Sequence, residues 1–211
     1  MHELPPSFVL DQLDAVWSDI GVDAAKTGML FSAPLIETVA AFLEEHGVPL
    51  VVDPVMVASS GAKLLLDDAV EVLVGRLFPL ATVVTPNLDE AEALTGLAGA
   101  SRADLAERLH TLGAPAALVT GGHGEDAVDH LFDGSEHHEI PVDRHDVPAT
   151  HGAGCTHSAT LAAHLAHGRP LLEAARAAAQ AASEAVRHGL VEIGDGDGPV
   201  DVLDVRGRVA A

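Results

Sequence analysis

Tyrosine is absent from this chain, Trp17 is its one tryptophan, and aromatic residues make up only 3% of its 211 positions. Any core must therefore be built from aliphatic side chains. Cationic side chains are also scarce: Lys26 and Lys63 are the sole lysines, and 11 basic residues face 32 acidic ones, for a formal net charge of −21. Such an excess repels polyanions and argues against nucleic acid or an anionic membrane as partner. It fits either a high-salt cytoplasm or a codon bias toward Ala, Arg and Gly. With Cys155 as the single cysteine, neither an internal disulfide nor a cysteine-based zinc site can form within one chain, which leaves a small buried hydrophobe or a functional thiol. The apolar runs are short and broken by Pro, Gly or charge, so no segment reads as a spanning helix or a signal peptide, and a cytoplasmic location is expected.

The chain does have a strong apolar fraction, 48% against 20% charged, enough for one substantial core over residues 1–211. Helical spacing links Val9, Leu13, Val16, Trp17 and Ile20, then Leu35, Val39, Phe42 and Leu43, and later Leu105, Leu109 and Leu112. The third set opens at Ser101 with Asp104 three residues on, a helix-start pattern. Between the helical sets stand β-branched runs at 50–52, 81–85 and 117–120. Runs apolar on both faces suit parallel strands covered by helices, and their alternation with helices predicts a doubly wound α/β fold. Segments 128–132 and 137–142, joined through Asp133-Gly134-Ser135-Glu136, predict an antiparallel edge hairpin. Two Ala-rich helices follow, at about 153–167 and 170–188.

Open α/β sheets bind ligands beyond the carboxyl ends of their strands. That rule selects four segments: Asp53-Pro54-Val55-Met56, Thr85-Pro86-Asn87-Leu88-Asp89-Glu90, Thr120-Gly121-Gly122-His123-Gly124 and His151-Gly152-Ala153-Gly154-Cys155-Thr156. In the last, two glycines before a helix let backbone amides turn toward an anion, although a Gly-x-Gly turn entering a packed helix looks the same. Cys155 falls in that helix's first turn, the end that favours negative charge. Asn87 with Glu90 reads either as a ligand-binding pair or as an N-cap with an acidic first turn. Asp53, at a strand end, needs a cation or donors nearby if buried. The histidines other than His151 show no metal-ligand spacing, and surface positions are expected for most of them.

The segment Thr150 to Thr156 with Ser158-Ala159 resembles the anion-hole loop of the hydroxymethylpyrimidine/phosphomethylpyrimidine kinases of thiamine synthesis, members of the ribokinase-like group. Thr27-Gly28-Met29-Leu30, Asp53 to Val57, Thr85-Pro86-Asn87 with Glu90, Thr120 to His123 and Gly198-Pro199-Val200 resemble that family's motifs in content and order. The resemblance implies Mg²⁺ and ATP, a small pyrimidine substrate, and Cys155 as the base facing the substrate hydroxymethyl group. It implies an anion hole at Gly152, Ala153 and Gly154, substrate contacts from Met29 and Val55, and ATP phosphates near Asn87, Thr120 and Gly122. It assigns Glu90 and Asp53 to Mg²⁺, directly or through water, and leaves a homodimer open. The family's opening strand, turn and helix have no counterpart here, so an N-terminally truncated domain is expected. Ser59 and a residue near Ala179 stand where relatives often carry Lys, and Ala149 where Asn is common. Three other readings stay open: a pyridoxal-type kinase, a non-catalytic pyrimidine- or nucleotide-binding remnant, and a hydrolase pairing Cys155 with His151 or His157.

Overall fold

A computed structural model describes residues 2–57, 64–121 and 127–209. Six strands form one sheet in chain order: β1 (Ala25–Thr27), β2 (Leu50–Val52), β3 (Val83–Val84), β4 (Ala117–Val119), β5 (Val128–Phe132) and β6 (His137–Pro141). β1 to β4 pair in parallel, and β5 and β6 add an antiparallel edge, so the expected mostly parallel α/β sheet with an edge hairpin is the observed one. β2, β3 and β4 are central and buried on both faces, as parallel strands covered by helices are, while β1 forms the sheet edge. Val52, Val84, Ala117 and Val119 belong to one core, while Val51, Val83 and Leu118 belong to the other.

The first core is covered by α1 (Pro6–Asp19), α2 (Ala33–His46), α3 (Asp67–Val72), α4 (Leu88–Thr95) and α5 (Arg102–Thr111). The second lies under α6 (Ala153–Ala166) and α7 (Leu171–Arg187), whose buried faces are Leu161, Ala162 and Leu165 and a run of alanines from Ala174 to Ala179. Small alanines let α6 and α7 approach the sheet and each other closely, which compensates for the shortage of aromatic bulk. Ser101 caps α5 as its spacing predicts, its hydroxyl oxygen accepting the Asp104 N–H at 3.1 Å.

Three features depart from the sequence pattern. The helical stripe of α1 only partly packs: Val9, Leu13 and Trp17 meet the core, whereas Val16 and Ile20 are exposed. Trp17 makes an edge contact with Phe42 at 5.0 Å, which sets the roll of α1 on α2 and turns the other side outward. The run at 81–85 narrows to Val83–Val84, because α3 continues through a π-helical turn (Leu73–Leu77) and a 3₁₀ turn (Phe78–Leu80) that holds Ala81. His130 and His157 are buried rather than on the surface.

Candidate active site

The loops after β1, β2 and β3 and the start of α6 are joined by polar bonds at the carboxyl edge of the parallel strands. Asn87 caps α4 in a complete capping box: its side-chain oxygen accepts the Glu90 N–H at 2.9 Å, and Glu90 Oε2 accepts the Asn87 N–H at 3.0 Å. Glu90 Oε1 also accepts the Met56 N–H at 3.4 Å, so one carboxylate spans the loops after β2 and β3. Only 8% exposed, this carboxyl is pushed up to about 7 by burial; the Asn87 and Met56 N–H groups oppose that rise and the charges of Asp53 and Asp89 add to it. Thr120, beyond β4, bridges to Asn87 and donates its N–H to the Pro86 carbonyl at 2.9 Å. The Thr27 and Thr85 hydroxyls, at the ends of β1 and β3, are buried without a partner.

At the start of α6, Gly152 adopts φ 89°, a left-handed conformation that suits glycine. Its carbonyl accepts the Thr156 N–H at 2.8 Å, and the Ala153 N–H is taken by the Thr150 carbonyl at 3.1 Å. Among the described residues nothing accepts from the N–H groups of Gly154 and Cys155. A Cβ on Gly154 would meet nothing within 4 Å, and Cys155 is exposed, so this helix end is open. His151 pairs with the segment at 198–200, donating to the Gly198 carbonyl at 3.2 Å and accepting from Val200 at 3.0 Å.

Asp53 has the cation and donors that its burial requires. Its Oδ2 accepts from the Ser158 hydroxyl of α6 at 2.9 Å and lies 3.5 Å from Lys26 Nζ, which in turn donates to Ser158 Oγ at 3.2 Å. The cluster ties α6 to β1 and β2. Met29 lines a recess of about 150 Å³ with His2, Glu3, Leu4, Phe31 and Leu35. Phe31 holds φ 63° there, and Glu3 accepts a hydrogen bond from the Ser32 hydroxyl. Val55 is half-buried at the end of β2 and does not line that recess. Gly122, His123 and Ser59 lie outside the described residues. Ala149 and Ala179 are both buried.

The profile of the phosphomethylpyrimidine kinase family matches residues 1–201. The chain belongs to this family. It is similar to a thiamine biosynthesis bifunctional protein of Geobacter sulfurreducens, 49% identical over 99% of this chain and 44% of the relative. It is also similar to a hydroxymethylpyrimidine/phosphomethylpyrimidine kinase of Streptomyces coelicolor, 46% identical over 94% of this chain and 75% of that one. The chain thus spans less than half of the first relative and three quarters of the second. Among solved structures, an ADP complex of Bacillus subtilis pyridoxal kinase superposes with a TM-score of 0.86 at 36% identity, over 96% of this chain and 79% of the other.

Sequence reasoning gave no role at this candidate site to Lys26, Ser158 or Asp129, and named His157 only as a possible partner of Cys155. Lys26 and Ser158 are the partners of Asp53, 27 and 105 positions from it; Ser158 stands within the resembling motif, but its spacing alone does not specify a partner. Asp129 and His157 form a second buried pair, and the only signal for it is an acidic residue inside an apolar strand. Among the described residues no three His, Cys, Asp or Glu side chains are grouped to hold a metal by themselves.

Proposed function

We propose that this chain transfers the γ-phosphoryl group of ATP to the hydroxymethyl group of 4-amino-5-hydroxymethyl-2-methylpyrimidine, and then to the resulting monophosphate. The observation that carries the reading is the open helix end at Gly154 and Cys155, bound through Ser158 to the ends of β1 and β2 and facing no acceptor among the described residues. Two unpaired amides at a helix N-terminus are suited to a migrating phosphoryl group. Phosphoryl transfer needs positioning and charge neutralisation more than covalent help. Family membership and the likeness to an ADP-bound kinase support ATP as the donor.

In the first transfer the substrate oxygen bonds to the γ-phosphorus, the bond from that phosphorus to the β-bridging oxygen breaks, and ADP leaves with the electron pair. Cys155 Sγ, exposed at the helix start, takes the hydroxyl proton as a thiolate and becomes the thiol. The amides of Gly154 and Cys155 hold the phosphoryl oxygens, and the left-handed turn at Gly152 aims them. Asn87 and Thr120, bridged to one another, shape the ATP-phosphate side. Met29 bounds the pyrimidine side through its recess; Val55, half-buried beyond β2 and outside that recess, is the second pyrimidine contact in this reading.

The chemistry of Glu90 and Asp53 fits Mg²⁺. A buried carboxyl raised to about 7 is one whose charge lacks a compensating cation, and Asp53 is close enough to add to that rise. Two carboxylates without a closed cage match an ion that keeps several waters and binds largely through phosphate. Mg²⁺ there would neutralise charge on the ATP phosphates; Glu90 and Asp53 are the residues that would hold it.

The test is an assay of this chain with Mg-ATP against the hydroxymethylpyrimidine, its monophosphate and pyridoxal. Turnover of both pyrimidines above pyridoxal is the expected result. Preferential turnover of pyridoxal would favour the second reading, which the likeness to a pyridoxal kinase motivates. Nucleotide binding without turnover of any of the three would favour a binding remnant.

A further inference from the structure

Asp129 sits on β5, in none of the loops assigned above, and is 3% exposed. Both of its oxygens are engaged. Oδ1 accepts the Gly121 N–H at 2.7 Å, and Oδ2 accepts from His157 Nε2 at 3.1 Å. Because the carboxylate only accepts, the His157 proton belongs on Nε2. Gly121 directly follows Thr120 at the end of β4, and His157 is on α6 two residues beyond Cys155. Gly121 is also pressed onto β5: a Cβ there would collide with the Val128 carbonyl oxygen.

Burying a carboxylate is costly unless its acceptor sites are filled, and packing does not require this pair. α6 already buries Leu161, Ala162 and Leu165 against the sheet. What the pair adds is direction. His157 and Ser158 are consecutive and point about 100° apart around the helix; one is tied to Asp129 and the other to Asp53. The start of α6 is thereby fixed both toward β4–β5 and toward β1–β2, which removes roll about its own axis.

We propose that Asp129 and His157 are positioning residues that lock the end of β4 at Thr120 and Gly121, on the ATP-phosphate side of the proposed site, to the phosphoryl-binding start of α6. The donor phosphates and the two open amides then keep one separation. This rests on the kinase reading of the same site.

Three variants of the 211-residue chain test it: Asp129→Ala, Asp129→Asn, and His157→Phe, which keeps ring bulk but cuts only the link to α6. Two readouts are Mg-ATP affinity by calorimetry and exchange of the Gly121 amide referred to that of Leu118 within β4. A third is the melting temperature. Asp129→Ala is expected to weaken Mg-ATP roughly tenfold or more and to speed Gly121 exchange selectively, with pyrimidine affinity unchanged. Asp129→Asn is expected to restore both through its amide oxygen, which still accepts from Gly121; its NH₂ can donate to His157 Nε2 only after the ring proton moves to Nδ1. His157→Phe is expected to retain Mg-ATP affinity and lower turnover at saturation. If Asp129→Ala lowers only the melting temperature, leaving Gly121 exchange equal to the reference, the pair is merely structural and the proposal falls. The same follows if Asp129→Asn fails to restore Gly121 protection or His157→Phe turns over like the parent. A parent chain that binds no Mg-ATP defeats the kinase reading instead, and Gly121 exchange in Asp129→Ala and Asp129→Asn still decides whether the carboxylate holds the loop.

Discussion

The two transfers proposed here make different demands on Cys155. A hydroxymethyl oxygen must lose a proton as it attacks, whereas an oxygen of the monophosphate is already anionic and needs no base. Cys155→Ala should therefore lower turnover of the alcohol by about 10²- to 10⁴-fold and that of the monophosphate much less, with Mg-ATP affinity nearly unchanged. Equal turnover in variant and parent would reduce the thiol to a small residue at a helix start. Glu90 offers a second test at the same scale, through pH. Its carboxyl is raised from 4.5 to about 7 in the folded chain, first by burial, so the folded state holds the proton more tightly than the unfolded state. That stabilisation is fully present below pH 4.5 and is lost as pH rises through about 7. Glu90→Gln keeps an acceptor for the capping box and removes the charge. At about pH 8 the variant should unfold at higher temperature than the parent, by a free-energy gain on the order of 3 kcal/mol, and the gap should close near pH 4. A gap independent of pH would mean that Glu90 is solvated in the folded chain.

α6 carries more of the site than any other element, and its anchors explain what the sequence could and could not reveal. Ser158 shares one hydroxyl proton between Asp53 Oδ2 at 2.9 Å and the Gly154 carbonyl at 3.0 Å. Ser158→Ala removes the hydroxyl and leaves buried Asp53 with Lys26 alone, at an expected cost of about 1–3 kcal/mol measurable by urea unfolding. The strands β2 to β4, the hairpin of β5 and β6 and the bounds of α6 and α7 were legible, because each follows from a local period or a turn, whereas Ala25-Lys26-Thr27 of β1 carries no apolar run to announce it. So was the place of the site, since strand ends and a glycine turn mark it. The helical run from Asp67 to Leu80 was not, because Pro79 and Gly75 interrupt the pattern that would announce it. Nor were Lys26, Asp129, His157 and Ser158 legible as partners. Asp129 and His157 lie 28 positions apart and meet only after the sheet is assembled. A burial pattern along one strand cannot say which helix will supply the donor.

For the molecule as a whole, the charge distribution makes a prediction that no single contact does. The formal charge is −21, and the buried acids Asp53, Glu90, Asp129 and Asp201 are only a small part of 32 acidic residues. Most of the negative charge is therefore carried at or near the surface, where like charges repel more strongly in the compact state than in the unfolded chain. Surface ion pairs offset little of this: Arg76 with Glu37 and Glu44, and Arg187 with Glu184, are exposed contacts of low individual worth. The core opposing the repulsion is aliphatic and alanine-rich, so screening should register directly in stability. Raising salt from about 0.01 M to about 1 M shortens the Debye length from roughly 30 Å to roughly 3 Å. The melting temperature should climb across that range, steeply at first and then more gently, and a salt of weakly interacting ions such as sodium chloride should suffice. Replacing several exposed acids remote from the cleft, such as Asp11, Asp14 and Glu45, by Asn or Gln should raise the melting temperature at low salt and flatten the salt dependence. A melting temperature indifferent to sodium chloride, or one that falls with it, would mean that paired charges rather than net repulsion govern this surface, and that its acidity has no net effect on the folded state.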